Sequence, residues 1–177
     1  ILAYVGTYAE EDDEGLFILR LSHEGTLSLI DTAAVGPNPS FMAIHPEGEY
    51  VYVVNEVGEF AGQSGGAVTA LAMKEEGKDL AVINRQSSKG KGPCHISLDS
   101  EGRYALVANY GGGSVTVLPI SEDGSLEPAS DFVQHEGSSV NPRRQDGSLG
   151  HSINLDPQNR FVIAADLGLD KLLIYRF

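Results

Sequence analysis

Apolar residues in this chain fall in short runs rich in Val, Ile, Leu and Tyr, separated by Gly, Pro, Asn or Asp. The three- and four-residue spacing of an amphipathic helix is nowhere sustained, so the pattern predicts strands and essentially no helix. The strands fall at about residues 1–7, 16–21, 27–34, 40–45, 50–55, 66–73, 80–87, 94–98, 104–109, 114–119, 129–134, 151–155, 161–166 and 171–177. Between the first two lies an acidic tip, Glu10-Glu-Asp-Asp-Glu14. It lacks the regular Asp/Asn-and-Gly spacing of a calcium loop and reads as a solvated hairpin end.

One strand–turn–strand unit occurs three times. Pro39 to Asn55, Pro93 to Asn109 and Gly150 to Asp166 each hold a short apolar strand, a polar turn and a second apolar strand ending in Asn or Asp. The turns centre on Gly48, Gly102 and Asn159. The spacing is 54 residues from Asn55 to Asn109 and 57 from Asn109 to Asp166. A strand-built repeat of that period signals radially arranged blades. The second strands, Tyr50–Val54, Tyr104–Ala108 and Phe161–Ala165, are apolar without alternation. That implies burial on both faces, as in a sheet stacked between two others.

The predicted fold is all-β: a β-propeller of four-stranded antiparallel blades, with strands 40–45, 94–98 and 151–155 innermost. Counting along the chain gives three strands, two complete blades, then three strands. Such an arc leaves open edges. Residues 1–177 are therefore expected to form one incomplete domain, completed by further blades of a longer chain or by a second copy.

Charge and cysteine content narrow the partners. The net charge of −13 argues against nucleic acid and anionic membranes. No apolar run approaches the length of a membrane span. An anionic substrate would need a local basic pocket. The single cysteine, Cys94, excludes an internal disulfide and fits a reducing, cytoplasmic compartment. His23, His45, His95, His135 and His151 are scattered and have no cysteine partner, so neither a metal nor a cofactor is expected.

Three groups of residues, in this order, carry a resemblance. They are Tyr4-Val-Gly-Thr-Tyr8 with Gly15-Leu-Phe-Ile18, then His45-Pro-Glu-Gly48 with Tyr52-Val-Val-Asn-Glu56. The third is Asn141-Pro-Arg-Arg-Gln145 with His151-Ser152, Asp156-Pro157, Asp166-Leu-Gly168 and Asp170. Together they resemble the seven-bladed propeller lactonase family, which includes propeller-type 6-phosphogluconolactonases and is related to fungal carboxy-muconate cyclases. The likeness covers essentially the whole chain and matches the first half of such a protein. It implies metal-independent hydrolysis of 6-phosphoglucono-lactone in the pentose phosphate pathway. It also implies that His151 is the acid/base group and that a further catalytic Arg and Glu lie beyond Phe177. Ester opening needs a base for water and donors for the developing oxyanion, and a phosphorylated substrate adds the need for a cation.

From the residues themselves, His151 precedes the inner strand of its repeat, where Ser40 and Cys94 stand in the others. That register points at the channel, and an imidazole accepts protons near neutral pH. The alternative is a histidine that only bonds a neighbouring blade. His95, one place later in its repeat, faces either the channel or the space between blades. Arg143 and Arg144 lie in the long loop 137–150 and can fork around a phosphate or carboxylate, or simply tip a solvated loop. Lys89 and Lys91 lead into the next inner strand and read first as a surface loop. Glu56, Asn109 and Asp166 end equivalent strands, which favours a capping job, with Glu56 and Asp166 as further substrate-binding candidates. Cys94 shares the channel-facing register but has no base beside it in sequence.

Two other functions compete with a sugar lactonase. One is a related propeller enzyme for another lactone or a muconate. The other is a non-catalytic scaffold for protein partners, which would favour aromatic loops; here Phe60 is the aromatic in otherwise Gly-, Ser-, Asp- and Glu-rich loops.

Overall fold

Each repeat turns on a residue in the left-handed region: Gly48 at φ 75°, Gly102 at φ 70° and Asn159 at φ 53°. Gly and Asn tolerate that conformation, so each turn closes an antiparallel pair. The computed structural model describes residues 1–177, and its strands follow in chain order. The first sheet joins β1 (Leu2–Gly6), β2 (Leu16–Leu21) and β3 (Leu27–Ala33). The second contains β4 (Pro39–Ile44) and β5 (Tyr50–Asn55), then, after a two-stranded hairpin of β6 (Glu59–Phe60) and β7 (Gln63–Ser64), β8 (Ala67–Lys74) and β9 (Asp79–Ser87). The third orders β10 (Pro93–Leu98), β11 (Tyr104–Asn109), β12 (Ser114–Pro119) and β13 (Asp131–Gln134). The fourth holds β14 (Gly150–Leu155), β15 (Phe161–Asp166) and β16 (Lys171–Arg176).

All pairings within the sheets are antiparallel between neighbours, as the repeat predicts. The small hairpin β6–β7 and a single 3-10 turn at Glu75–Gly77 are additions that the apolar pattern did not signal. No helix is long and apolar enough to cross a membrane. Gly6 ends β1 opposite Leu16, just as Asn55 ends β5 opposite Ala67. The first sheet thus carries the second, third and fourth strands of a blade, and the last sheet carries the first three.

The core lies between sheets. Along β5, Val51 and Val53 pack with Leu16 and Ile18 of the first sheet and with Val35 of the linker that follows it. Tyr52 and Val54 point the other way, onto Ile96, Ala105 and Val107 of the third. Leu106 and Ala108 of β11 meet Ile153, Val162 and Ala164 of the fourth. Burying each such side chain contributes about 1.5–3 kcal/mol, which is why these strands read as continuous apolar runs. The expectation of two-sided burial holds for 50–55 and 104–109. In Phe161–Ala165 the face toward the third sheet is covered, while Phe161 and Ile163 on the other face stay 38% and 39% exposed at the open end of the arc.

Polar clasps fix how the sheets stack. Asn55, fully buried, donates from Nδ2 to the carbonyls of Val35 (3.1 Å) and Pro37 (2.9 Å) in the preceding linker. Its Oδ1 accepts from the Thr69 hydroxyl at 2.7 Å. Asn109 bridges the equivalent groups through Nδ2 alone, donating to Ser88 O (3.4 Å) and to the Thr116 hydroxyl (3.0 Å). At the turn end, His45 Nε2 lies 3.1 Å from Gly102 O. A Cβ on Gly102 would fall 2.0 Å from that nitrogen, so this turn needs glycine for space as well as for φ.

Asn55→Ala leaves Pro37 O without its donor and removes the Asn55 bonds to Val35 O and the Thr69 hydroxyl, which still have each other at 3.1 Å in a dry interface. Unmade buried hydrogen bonds cost about 1–3 kcal/mol each, with partial relaxation. The variant is expected to lose about 2–4 kcal/mol in urea unfolding. A midpoint equal to the wild type would show that the clasp contributes nothing to sheet stacking.

Candidate active site

Three inner strands, β4, β10 and β14, lie side by side around the axis, and each has a register break at the same place. The breaks fall between Pro39 and Phe41, Pro93 and His95, and Gly150 and Ser152. The residue left over is Ser40, Cys94 or His151. A bulge re-aims its extra side chain, and all three side chains line one cavity of about 240 Å³. The rest of the wall is Tyr8, Glu56 and Tyr110, which follow the ends of β1, β5 and β11.

His151 is exposed in this cavity. Its backbone carbonyl accepts from the Cys94 thiol at 3.5 Å, while both ring nitrogens remain free of partners within the chain. The Tyr110 ring stands edge-on to the imidazole, with centroids 5.6 Å apart at 89°. Arg144 does not line the cavity itself, but its Nη2 donates to the Tyr110 hydroxyl at 3.3 Å, so a cation stands behind the phenol that faces the imidazole. On the side of the first two sheets, the Tyr8 hydroxyl donates to Glu56 Oε2 at 3.1 Å. The Glu56 charge, aided by burial, raises the Tyr8 hydroxyl above its ordinary range. Burial first, then the same carboxylate, pushes the Cys94 thiol up to about 11. Cys94 is a thiol at neutral pH and no ready nucleophile.

The other candidates are placed differently. His95 stacks on Phe41 at 4.6 Å, and its Nδ1 accepts the Ile153 amide at 3.3 Å. That bond puts the proton on Nε2, and burial together with the nearby His151 lowers the His95 pKa, so the ring is a neutral wall beneath the cavity. Arg143 is exposed, and the bond it makes is from its backbone amide to Asn141 Oδ1. Lys89 sits over Ala129–Phe132, and neither it nor Lys91 lines the cavity. Asn55, not Glu56, is the equivalent of Asn109 and Asp166, since all three hold the same position in the strand pairing. Glu56 is one residue further on and free to face the cavity.

Asp166 is structural in this geometry. Its side chain is wholly shut off from solvent and accepts the amides of Leu149 (2.8 Å) and Leu169 (3.0 Å). It also pairs with His135 Nδ1 at 2.6 Å, while the Tyr175 hydroxyl lies 2.8 Å from His135 Nε2. Burial by itself would raise this carboxyl. The amide bonds and His135 outweigh it and hold its pKa below the usual carboxylate range. The Leu149 amide closes the 137–149 loop, which is further tied by Gln145 Nε2 to Leu167 O and by Ser148 Oγ to His135 O. Ser148 packs where a Cβ on Gly113 would stand, 2.1 Å from its Oγ, and Gly113 also has a φ of 60°. Asp166 therefore positions the loop that carries Arg144.

In the sequence Ser40 is marked only as the register mate of His151 and Tyr8 only within a motif, and neither they nor Tyr110 stand out there as site residues. The usable signal was positional: two aromatics just beyond equivalent strand ends, and a serine in register with His151.

Comparison with known proteins adds the following. Residues 2–177 match the family described as Lactonase, 7-bladed beta-propeller. The chain is 34% identical over 176 residues to a Bacillus subtilis protein named 6-phosphogluconolactonase, covering 99% of this chain and 49% of that protein. A structure described as the Pseudomonas aeruginosa periplasmic gluconolactonase superposes with a TM-score of 0.88 at 34% identity, covering 99% of this chain and 50% of that one. A Lactobacillus plantarum structure gives 0.82 at 28% identity, with 99% and 49% covered. The chain thus spans about half the length of the curated relatives it matches.

A carboxyl whose pKa is depressed by folding stabilises above its unfolded pKa of about 3.9, and that contribution is lost as pH falls through the folded value. Wild-type stability is expected to drop below about pH 4. Asp166→Asn, less stable at pH 7, should show a shallower drop across that window. Parallel acid profiles of the two proteins would refute the role given to Asp166.

Proposed function

Because the chain belongs to the seven-bladed β-propeller lactonase family, we propose that it forms half of an enzyme hydrolysing a sugar lactone, foremost 6-phosphoglucono-lactone to 6-phosphogluconate. The observation carrying this reading is an imidazole lining a cavity of about 240 Å³ with both nitrogens free of partners in the chain, beside a tyrosine that an arginine reaches. A His151 nitrogen takes a proton from water as the oxygen adds to the lactone carbonyl carbon. The bond from that carbon to the ring oxygen then breaks, and the ring oxygen takes the proton back from the imidazolium. The products are a free carboxyl and a hydroxyl, with no change of oxidation state and no metal. Arg144 meets an anionic end of the substrate.

A second substrate, the unphosphorylated gluconolactone, is favoured by the description of the P. aeruginosa relative and by the exposure of Arg144, which leaves the phosphate foothold solvated. Comparing the two lactones on the full-length protein decides between them. The single cysteine supports a cytoplasmic placement, which cell fractionation tests.

In the full-length protein His151→Ala should lower kcat about 10²-fold or more, the usual loss for a general base. A wild-type rate, after correction for spontaneous ring opening, would remove His151 from the mechanism. Arg144→Ala should mainly raise KM for the phosphorylated lactone, because the phosphate contact is made equally in the ground state. That effect should shrink as salt rises, since an exposed charge is screened. Activity that falls on treatment with a chelator would overturn the metal-free scheme.

A further inference from the structure

Glu56 has a rigid base and an unused end. Its amide donates to Asn38 O at 3.0 Å and its carbonyl accepts Asn38 Nδ2 at 3.2 Å, so the backbone is pinned on both sides. Tyr8, from the first sheet, fastens Oε2 at 3.1 Å. Oε1 has no partner, and no lysine, arginine or histidine forms an ion pair with this carboxylate. Next to it on the same wall is Ser40, whose hydroxyl is enclosed and has no hydrogen-bond partner in the chain. An ionised carboxylate accepts hydrogen bonds and donates none. A ligand that satisfies this side of the cavity must bring hydrogen-bond donors, which for a sugar lactone are its hydroxyls, and it must turn any anionic group away, toward Arg144 on the third- and fourth-sheet side.

We propose that Glu56 is the specificity-determining residue that reads ring hydroxyls of the substrate, so that the site selects polyhydroxylated lactones over bare ones. This rests on the lactonase reading above and adds the part of the substrate that is recognised. Tyr8 holds the carboxylate in place and leaves one oxygen for the ligand. The two anion-handling and hydroxyl-handling sides fix which way round the lactone lies, with its reacting carbonyl toward His151.

The test uses the full-length protein with glucono-1,5-lactone and with δ-valerolactone, the same six-membered ring ester without hydroxyls. Binding of glucono-1,5-lactam, which resists hydrolysis, is followed in parallel by calorimetry. A hydrogen bond to a charged group is worth roughly 10- to 100-fold in affinity. Glu56→Ala should lower the ratio of kcat/KM for gluconolactone over δ-valerolactone by about that factor, chiefly through KM, and weaken lactam binding to match. Glu56→Gln, which fills the same space and can keep the Tyr8 bond, should fall between the two. Equal losses on both lactones, or lactam binding untouched in both variants, would overturn the proposal. Glu56-dependent lactam binding by a protein that opens neither lactone would support hydroxyl recognition while sinking the lactonase reading.

Discussion

The buried amide or carboxylate at the end of each central strand sets where one sheet lies against the next. Asn55 does this with two carbonyls of the linker before it, Asn109 with Ser88, and Asp166 with His135 and two amides. Apolar burial between sheets is larger in total but has no direction, so it leaves sliding and rotation cheap. A polar group without a partner in a dry interface is costly, and that makes the relative position of two sheets specific. Everything that lines the cavity hangs from these points. Glu56 and Tyr110 are the residues immediately after Asn55 and Asn109, and the loop carrying Arg144 is closed onto Asp166.

The repeat also explains how a near-symmetric arc yields an asymmetric site. Bulges at one register deliver Ser40, Cys94 and His151 to the same space: a hydroxyl, a thiol held protonated and an imidazole. The backbone device is common to all three sheets, and the chemistry is chosen by one side chain in each. In the same way the clasp is neutral in the second and third sheets and charged in the fourth. There the carboxylate is hydrogen-bonded by the buried His135 ring and by the Leu149 amide at the end of a long inserted loop, which also carries Arg144 to the Tyr110 hydroxyl.

Charge is therefore separated across the cavity despite the net −13 of the whole chain. Glu56 stands on the side of the first two sheets and Arg144 on the side of the last two. Since the chain spans about half the length of its relatives, it furnishes one arc of the channel wall, and the proposed chemistry belongs to the complete ring.

Strand positions, repeat period, antiparallel blades and the axial placement of His151 were determined by the sequence itself. Apolar periodicity and Gly or Asn turns act over a few residues, and each repeat supplies an independent copy of the signal. The two arginines were legible as candidates because charged residues in a Gly- and Ser-rich loop have few structural duties, and Glu56 because it stands at the end of a repeated strand. Which arginine reaches inward, that Asp166 is buried against a histidine 31 residues away, and that Tyr8 meets Glu56 across 48 residues were decided only by the tertiary structure. Those contacts depend on how far one sheet is turned against the next. Apolar composition on both faces of Phe161–Ala165 was likewise legible, while which of those faces meets the third sheet was decided by packing.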